Sequence, residues 1–189
     1  MLTILEEPGL LTSAVPVSVV CYEKMSELGL VDEGTELIRG VIFEKMSKSP
    51  LHFFMVDLMA EILRRGLPPD LMVRVESSLR LADSCPEPDL CVVPGPRDLY
   101  AIHHPRTALL VIEVAISSEA LDRAKAAIYA EAKVGEYWIV MPQRRAIERF
   151  THPQDGVYTR QHTIESSEVA ISMTVPGFSV TLDRLLPKP

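Results

Sequence analysis

The apolar run LLVIEVA, residues 109–115, constrains the fold more than any other segment of the chain. Its apolar residues follow one another without alternation, which is typical of a strand buried on both faces. The run nevertheless contains one carboxylate, Glu113. A dry, unpaired carboxylate costs several kcal/mol or takes up a proton. We therefore expect Glu113 to have a partner: a cation, a hydrogen-bond donor or a metal ion.

Segments with the spacing of helices and strands surround this run. Helical spacing extends over residues 16–30, 51–66 and 117–135, the last being rich in alanine, with serines before it and a glycine at its end. Period-two or short apolar patterns predict strands in TELIRGVIFEKM, LMVRVESSLRLAD, PDLCVVP, TALLVIEVAI, EYWIVMP, AIERFTH and GVYTRQHTI. This order of elements predicts an α/β (α+β) fold, a mixed β-sheet core flanked by helices.

The same spacing predicts which side chains face the core. In the first strand segment, which reads as a hairpin around a glycine, these are Leu37, Val41 and Phe43. In the helix over residues 51–66 the apolar positions are Leu51, Phe54, Met55, Leu58, Met59 and Ile62. No shift in composition marks a boundary, so we expect one domain over residues 1–189, with an N-terminal helical lead-in of about 30 residues.

Charge and cysteine content narrow the classes of protein. The formal net charge of −7 disfavours a role as a general nucleic-acid coat, although a local basic cleft is compatible with it. Three irregularly spaced cysteines, Cys21, Cys85 and Cys91, are too few for a disulfide framework. The N-terminal segment carries acids where a signal peptide has basic residues, and no apolar run is long enough to span a membrane. We expect a cytoplasmic protein with no membrane contact.

A second acid, Asp89 in PEPDLCVV, stands at the start of another short apolar strand. Asp89 and Glu113 on neighbouring strands would converge, and their carboxylates, together with the backbone carbonyl of Val114, are the hard oxygen ligands that Mg²⁺ or Mn²⁺ prefers. The structural alternatives are that Asp89 is a turn or cap residue and that Glu113 pairs with an arginine.

Three further residues are candidates for the same site. Lys125 shares a helix face with Asp122 and Tyr129, at spacings of i, i+3 and i+7. Its ammonium could stabilise charge on a phosphoryl oxygen, or it could be a solvated surface group. Glu36 is either an additional acid of the site or a charge on the rim of the hairpin. For His52 we favour an ordinary surface histidine over a phosphate contact.

Other chemistries lack their sequence signatures. The chain contains no G-x-S-x-G elbow, no P-loop, no G-x-G-x-x-G and no H-E-x-x-H. Scattered arginines could form a local basic track for nucleic acid, or could be solvated surface: Arg64, Arg65, Arg74, Arg80 and Arg123.

Four sequence blocks occur in a recognisable order: TELIRGVIFEKMSKSPLH, PEPDLCVVP, LLVIEVAISS and DRAKAAIYAEAKVGEYWIV. Together with the leading VSVVCYEKMSELGL they cover nearly the whole chain, and the chain resembles the Uma-type family of restriction endonucleases, formerly a domain of unknown function. The resemblance implies a PD-(D/E)XK nuclease-like fold and divalent-metal-dependent hydrolysis of phosphodiester bonds in nucleic acid, with DNA as the favoured substrate. It also implies a homodimer, as in many enzymes that cut both strands.

The family motif is carried over residue by residue. Its Asp falls on Asp89 and its second acid on Glu113, both as metal ligands with the Val114 carbonyl, whereas the motif lysine position is occupied by Ala115. Members of the family often carry a lysine on the following helix, which here matches Lys125, and the recurring acid of the ELI-x-G block matches Glu36.

The departure at Ala115 keeps two other functions open. One is a catalytically silent nuclease-fold protein that binds nucleic acid or a protein partner, which the acidic net charge also favours. The other is an assembly domain whose buried acids form only structural ion pairs.

Overall fold

The structure is a computed structural model that describes residues 13–45 and 48–187. Four α-helices and ten strands occur in it in the following order: α1 (Val19–Glu27), β1 (Thr35–Ile38), β2 (Val41–Glu44), α2 (Pro50–Gly66), β3 (Leu71–Val75), β4 (Leu90–Pro94), β5 (Leu110–Val114), α3 (Glu119–Glu131), β6 (Glu136–Met141), β7 (Ala146–Gln154), β8 (Val157–Glu165), β9 (Val169–Ile171), β10 (Ser179–Thr181) and α4 (Leu182–Leu185). A 3₁₀ turn, Arg97–Tyr100, lies between β4 and β5.

A six-stranded sheet in the order β3-β4-β5-β6-β7-β8 forms the centre of the molecule. Its neighbouring strands are antiparallel except for β5 and β6, which are parallel and are connected through α3. Strands β4, β5 and β6 are almost entirely buried because they lie in the interior of the sheet and are covered on both faces. The sheet is therefore mixed and flanked by helices, as the order of elements predicts.

Alternate residues of β5 face the two helical layers. Leu110, Ile112 and Val114 belong to an apolar core with the inner face of α2. Val111 and Ala115 belong to a second core with α3. Because side chains alternate along a strand, Glu113 lies between Val111 and Ala115 on the face of β5 that α3 covers. The helix following β5 is thus the element from which a partner for Glu113 can come.

Helix α2 begins and ends with standard signals. The Ser49 hydroxyl accepts a hydrogen bond from the His52 amide at 3.2 Å, and Pro50 opens the first turn. Arg64 and Arg65 occupy the last turn, where positive charge is favourable. Its inner face carries Met55, Val56, Met59, Ala60 and Leu63 into the core of the sheet.

Several contacts hold the β1–β2 hairpin against the rest of the molecule, and two of them fix its position. The backbones of Leu37 and Cys85 exchange hydrogen bonds, which forms a short bridge. The Arg39 guanidinium makes a bidentate contact, 2.6 Å for each bond, with the carboxylate of Glu131 at the end of α3. These contacts place β1, and with it Glu36, beside α3.

Most element predictions are confirmed, but some side chains expected in the core are exposed. The hairpin, α2, α3 and the strands from β4 to β8 are where the patterns place them. The hairpin is wrong in part: Leu37 is buried, but Val41 and Phe43 are exposed because β2 pairs only with β1. Phe54 of α2 is also exposed.

Two element lengths also differ from prediction. The strand expected over LMVRVESSLRLAD ends at Val75, since Glu76 adopts a left-handed φ of 45°. Of the predicted helical lead-in, only Val19–Glu27 is helical among the residues from 13 onward, and residues 1–12 lie outside the described part of the chain.

One buried carboxylate outside the α3 face fixes the C-terminal segment to the sheet. Glu136 at the start of β6 is fully buried. Its oxygens accept hydrogen bonds from Trp138 Nε1 at 2.8 Å, Ser172 Oγ at 2.7 Å, the Met173 amide at 2.9 Å and Thr174 Oγ1 at 3.2 Å. Neutral donors from three consecutive residues thus compensate its desolvation.

We predict that Glu136→Ala lowers the free energy of unfolding by about 3 kcal/mol, because several buried donors lose a charged acceptor at once. Urea denaturation monitored by tryptophan fluorescence measures this change. Glu33→Ala, at an exposed position, is the control and is expected to leave the midpoint unchanged. Equal midpoints for the two variants would contradict the assigned role of Glu136.

Candidate active site

Asp89 and Glu113 meet where β4 begins and β5 ends. The antiparallel register pairs Leu90 with Ile112, so one further step places Asp89 opposite Glu113. The Asp89 amide donates to Glu113 Oε2 at 3.1 Å, and the Val114 amide donates to Asp89 Oδ2 at 2.8 Å. The two acids are therefore connected through the backbone amides of Asp89 and Val114.

Helix α3 supplies the partner that the buried Glu113 requires. Lys125 Nζ and the Tyr129 hydroxyl each donate to Glu113 Oε1 at 3.1 Å. The two residues lie roughly two and three turns into the helix, and a spacing of four residues keeps them on the one face that covers β5. The expectation that this face points toward the carboxylates is met.

The Lys125 ammonium is surrounded by three acids. It lies 2.9 Å from Glu36 Oε1, 3.1 Å from Glu113 Oε1 and 3.7 Å from Asp122 Oδ1, and the side chain is 6% exposed. Asp122 also accepts a hydrogen bond from the Ser118 hydroxyl at 2.5 Å. We call Glu36, Asp89, Glu113 and Asp122, all buried, the acid cluster.

Two residues from the start of α2 approach Asp89 from the other side. His52 Nε2 lies 3.0 Å from Asp89 Oδ2, and both side chains are buried. Lys48 Nζ lies 3.4 Å from Asp89 Oδ1 and 2.8 Å from Glu76 Oε1. One Asp89 oxygen is thus fixed by hydrogen bonds, and the other faces a lysine.

The electrostatic environment separates the two strand acids. Burial acts to raise the pKa of Asp89, but His52, the Val114 amide and Lys48 outweigh it, so this pKa lies below its ordinary value. Burial raises the pKa of Glu113 to about 8, because the nearby charges of the other acids offset the effect of Lys125. The neighbouring acids thus act against ionisation of Glu113, and a further cation near its carboxylate would favour the charged form.

A cavity of about 160 Å³ opens onto this cluster. Asp89, Glu113 and Val114 line its floor at the sheet, while the starts of α2 and α3 contribute Lys48, His52, Ser118 and Asp122. The volume exceeds what one water molecule occupies, so small groups and their hydration can enter.

The structure brings together every residue singled out for the site: Asp89, Glu113, Val114, Lys125 and Glu36. Glu36 is buried, so the alternative of a rim charge is wrong for it. The preference for a surface position was wrong for His52, which contacts Asp89. Lys48 was missed altogether. The segment before α2 has no periodic pattern in its sequence, and only the capping Ser49 marks where Lys48 lies.

The donor set fits a hard divalent cation. Asp89 and Glu113 offer carboxylate oxygens, and Mg²⁺ commonly binds one or two carboxylates with water and substrate phosphate completing its shell. Within residues 13–45 and 48–187, no three His, Cys, Asp or Glu side chains are already arranged around one point as a metal cage. A cation at these oxygens would offset the mutual repulsion of the buried acids, which raises the pKa of Glu113.

The suggested arginine track is not a continuous basic surface. Arg65, Arg80 and Arg123 are paired with Glu61, Glu23 and Glu148. Arg74 stacks on the ring of Tyr100, with 5.5 Å from its guanidinium carbon to the ring centroid.

Among the described residues, no helix combines the length and apolar character needed to cross a bilayer.

Comparisons with known proteins give one family and one fold. The model of the Uma2 family, described as "Putative restriction endonuclease", matches residues 23–183. A crystal structure of a putative nuclease belonging to DUF820 from Anabaena variabilis is similar, with a TM-score of 0.75 and 14% sequence identity over 90% of this chain and 97% of that chain. At this identity the likeness shows a common fold. No curated protein has a significantly similar sequence.

We predict that Lys125→Met lowers the free energy of unfolding by about 3–5 kcal/mol, because it leaves buried acids without their ammonium partner. Urea denaturation at neutral pH measures the change. Lys24→Met removes an exposed lysine paired only with Glu27 and is expected to shift the midpoint little.

A double-mutant cycle separates the charge effect from lost packing. Lys125→Met combined with Glu113→Gln is expected to be less destabilised than the sum of the single variants, with a coupling of about 1–3 kcal/mol. Additive changes would mean that the ion pair between these two residues contributes nothing to stability.

Proposed function

This chain belongs to the Uma2 family, and on that premise we propose that it is a Mg²⁺- or Mn²⁺-dependent endonuclease that hydrolyses phosphodiester bonds of nucleic acid, with DNA as substrate. The proposal places Asp89, Glu113 and the Val114 carbonyl as the metal-binding groups. Lys125 and Glu36 complete the catalytic set.

One observation carries the proposal: Asp89 and Glu113 converge, and Lys125 reaches Glu113 from the next helix. The Lys125 ammonium lies 3.1 Å from Glu113 Oε1 although Ala115 occupies the position of the motif lysine. Ala115 is fully buried and lies on the same face of β5 as Glu113. A lysine from α3 thus contacts the acid that a strand lysine would accompany, which supports the proposal although Ala115 replaces the motif lysine.

The residues of the chain would act in distinct ways. The Val114 amide and His52 hold Asp89 Oδ2, so the orientation of this carboxylate is set before any ligand binds. Lys125, held by Glu36, orients Glu113 and offers positive charge to a water attacking the phosphorus in line. A bound divalent cation would supply a lowered pKa for its water and stabilise the leaving oxygen.

Preorganisation distinguishes this arrangement from a set of surface acids. Each carboxylate oxygen of Glu113 already has a protein donor, from Lys125 and Tyr129 at one oxygen and from the Asp89 amide at the other. Groups held in this way need little reorganisation when charge develops in the transition state. The arrangement thus favours an enzyme over a fold whose site has lost its function.

We propose further that the protein acts in the cytoplasm as a homodimer. All three cysteines, Cys21, Cys85 and Cys91, are free thiols, which suits a reducing compartment. A dimer would bring two sites to the two strands of a duplex. The measured mass in solution tests this part independently of activity.

A catalytically silent binding protein is the second candidate. The enclosure of the Lys125 ammonium by three acids favours it, since this lysine has little freedom to contact a substrate. The two functions differ in one result: the silent protein binds nucleic acid and leaves it intact with every divalent cation.

We predict that the purified protein nicks or cuts DNA in the presence of Mg²⁺ or Mn²⁺ and that EDTA abolishes this activity. Asp89→Asn and Glu113→Gln are each expected to lower kcat by at least about 100-fold, because each removes a charged group from the reacting centre. Cleavage of a supercoiled plasmid resolved on agarose measures the rate. Asp98→Asn, an exposed acid of the 3₁₀ turn, is the control.

Calorimetric titration of Mg²⁺ gives a readout that does not require turnover. We expect heat of binding for the wild type and for Asp98→Asn, and none for Asp89→Asn. Retained binding in that variant would remove Asp89 from the metal site, and intact DNA with every cation tested would select the silent protein.

A further inference from the structure

Three lysines line the cavity, Lys45, Lys48 and Lys125, and their surroundings differ. The Lys125 side chain is 6% exposed and its ammonium lies among Glu36, Glu113 and Asp122. The Lys48 side chain is 21% exposed, and its ammonium has two acidic partners, Glu76 and Asp89. Lys45 is 19% exposed and pairs with Glu87 at 2.7 Å. Lys48 is therefore the lysine beside Asp89 that can turn toward a bound molecule without leaving a buried acid wholly unpaired.

The contact between Lys48 and Asp89 involves the carboxylate oxygen that does not face Val114 and His52. Asp89 Oδ2 accepts from the Val114 amide and lies 3.0 Å from His52 Nε2, whereas Oδ1 faces Lys48 at the longer distance of 3.4 Å. At 3.4 Å this contact is longer than a direct hydrogen bond between charged groups, so Lys48 can exchange it for another anion.

The backbone around Lys48 adds positive potential to the same wall. Lys48 directly precedes Ser49, the N-cap of the 17-residue helix α2, and the first turn of this helix contains no acid. The positive end of the helix dipole and the lysine thus lie side by side, and Ser49 and His52 line the cavity with Lys48. The four residues of the acid cluster line the same cavity.

The residue that holds Lys48 is itself in an unusual conformation. Glu76 has a φ of 45°, in the left-handed region that non-glycine residues avoid, and its amide donates to the Asp89 carbonyl at 3.0 Å. This turn carries the Glu76 carboxylate back to Lys48 at 2.8 Å. Such conformations concentrate at functional sites, where the surrounding structure imposes them.

We propose that Lys48 is a catalytic residue of this site, whose ammonium leaves Asp89 Oδ1 and contacts a non-bridging oxygen of the substrate phosphodiester, while Lys125 holds the acid cluster together. This inference rests on the proposed nuclease function and names the group that meets the substrate. No bond to Lys48 forms or breaks: the ammonium exchanges one anionic oxygen for another and stabilises the negative charge of the phosphoryl group.

Binding of a short fluorescein-labelled DNA duplex, measured by anisotropy in EDTA over a range of salt concentrations, tests the contact without turnover. Lys48→Met is expected to weaken binding about tenfold and to lower the slope of log affinity against log salt by about one, the loss of one phosphate contact. Lys48→Arg keeps the charge and is expected to restore most of the affinity. Lys24→Met, which removes an exposed lysine, is the matched control.

Two further measurements exclude a merely structural role. With Mg²⁺ present, Lys48→Met is expected to lower kcat by about 100-fold. In calorimetry the same variant is expected to bind Mg²⁺ as tightly as the wild type or more tightly, because a cation competing for Asp89 Oδ1 is gone. A variant that binds Mg²⁺ less well would show that Lys48 only supports Asp89, which overturns the proposal.

The remaining outcomes separate this proposal from the nuclease function. Cleavage by the wild type with unchanged DNA binding and kcat in Lys48→Met refutes the role of Lys48 and leaves the nuclease in place. DNA binding that depends on Lys48, without cleavage by the wild type, refutes the nuclease and retains the phosphate contact. If the wild type binds no duplex, the proposed contact between Lys48 and a DNA phosphate is refuted.

Discussion

The ion pair between Glu113 and Lys125 is the interaction on which the site depends. A carboxylate in the middle of a strand covered on both faces would be neutral or destabilising unless a cation reached it. The Lys125 ammonium meets that need at 3.1 Å and links Glu113 to Glu36 and Asp122. Because α3 carries this lysine, the site is complete only when α3 packs on the sheet.

The β1–β2 hairpin also contributes an acid to the site. Glu36 reaches Lys125 because β1 lies against α3, and the bidentate contact between Arg39 and Glu131 fixes that approach. Bidentate guanidinium contacts define orientation as well as distance. Sheet, helix and hairpin therefore each supply an acid or a cation to one cluster, and no single element can form it alone. This explains why buried charge is tolerated here in place of an apolar contact.

Much of this could be predicted from the sequence, for identifiable reasons. The unbroken apolar runs of β4, β5 and β6 located the central strands, and an acid inside one of them required a partner. Regular spacing along α3 then pointed Lys125 and Tyr129 toward Glu113. Periodicity failed where the chain is irregular. Lys48 lies just before α2, and Glu76 follows β3 with a left-handed φ. Neither residue belongs to a periodic pattern that would predict its contact with Asp89. Val41 and Phe43 alternate as core residues do, but a two-stranded hairpin has no second layer to cover them.

The burial of Ala115 explains why the lysine comes from the helix. Ala115 is completely buried on the α3 face of β5, and its amide is committed to the Val140 carbonyl at 2.9 Å. A lysine side chain there would have to displace core residues that pack against α3, and overpacking of this kind is destabilising. Lys125 reaches the same carboxylate from α3 at 3.1 Å, with its side chain 6% exposed. The small residue on the strand and the long residue on the helix are therefore two parts of one solution: Ala115 allows α3 to pack close enough for Lys125 to reach Glu113.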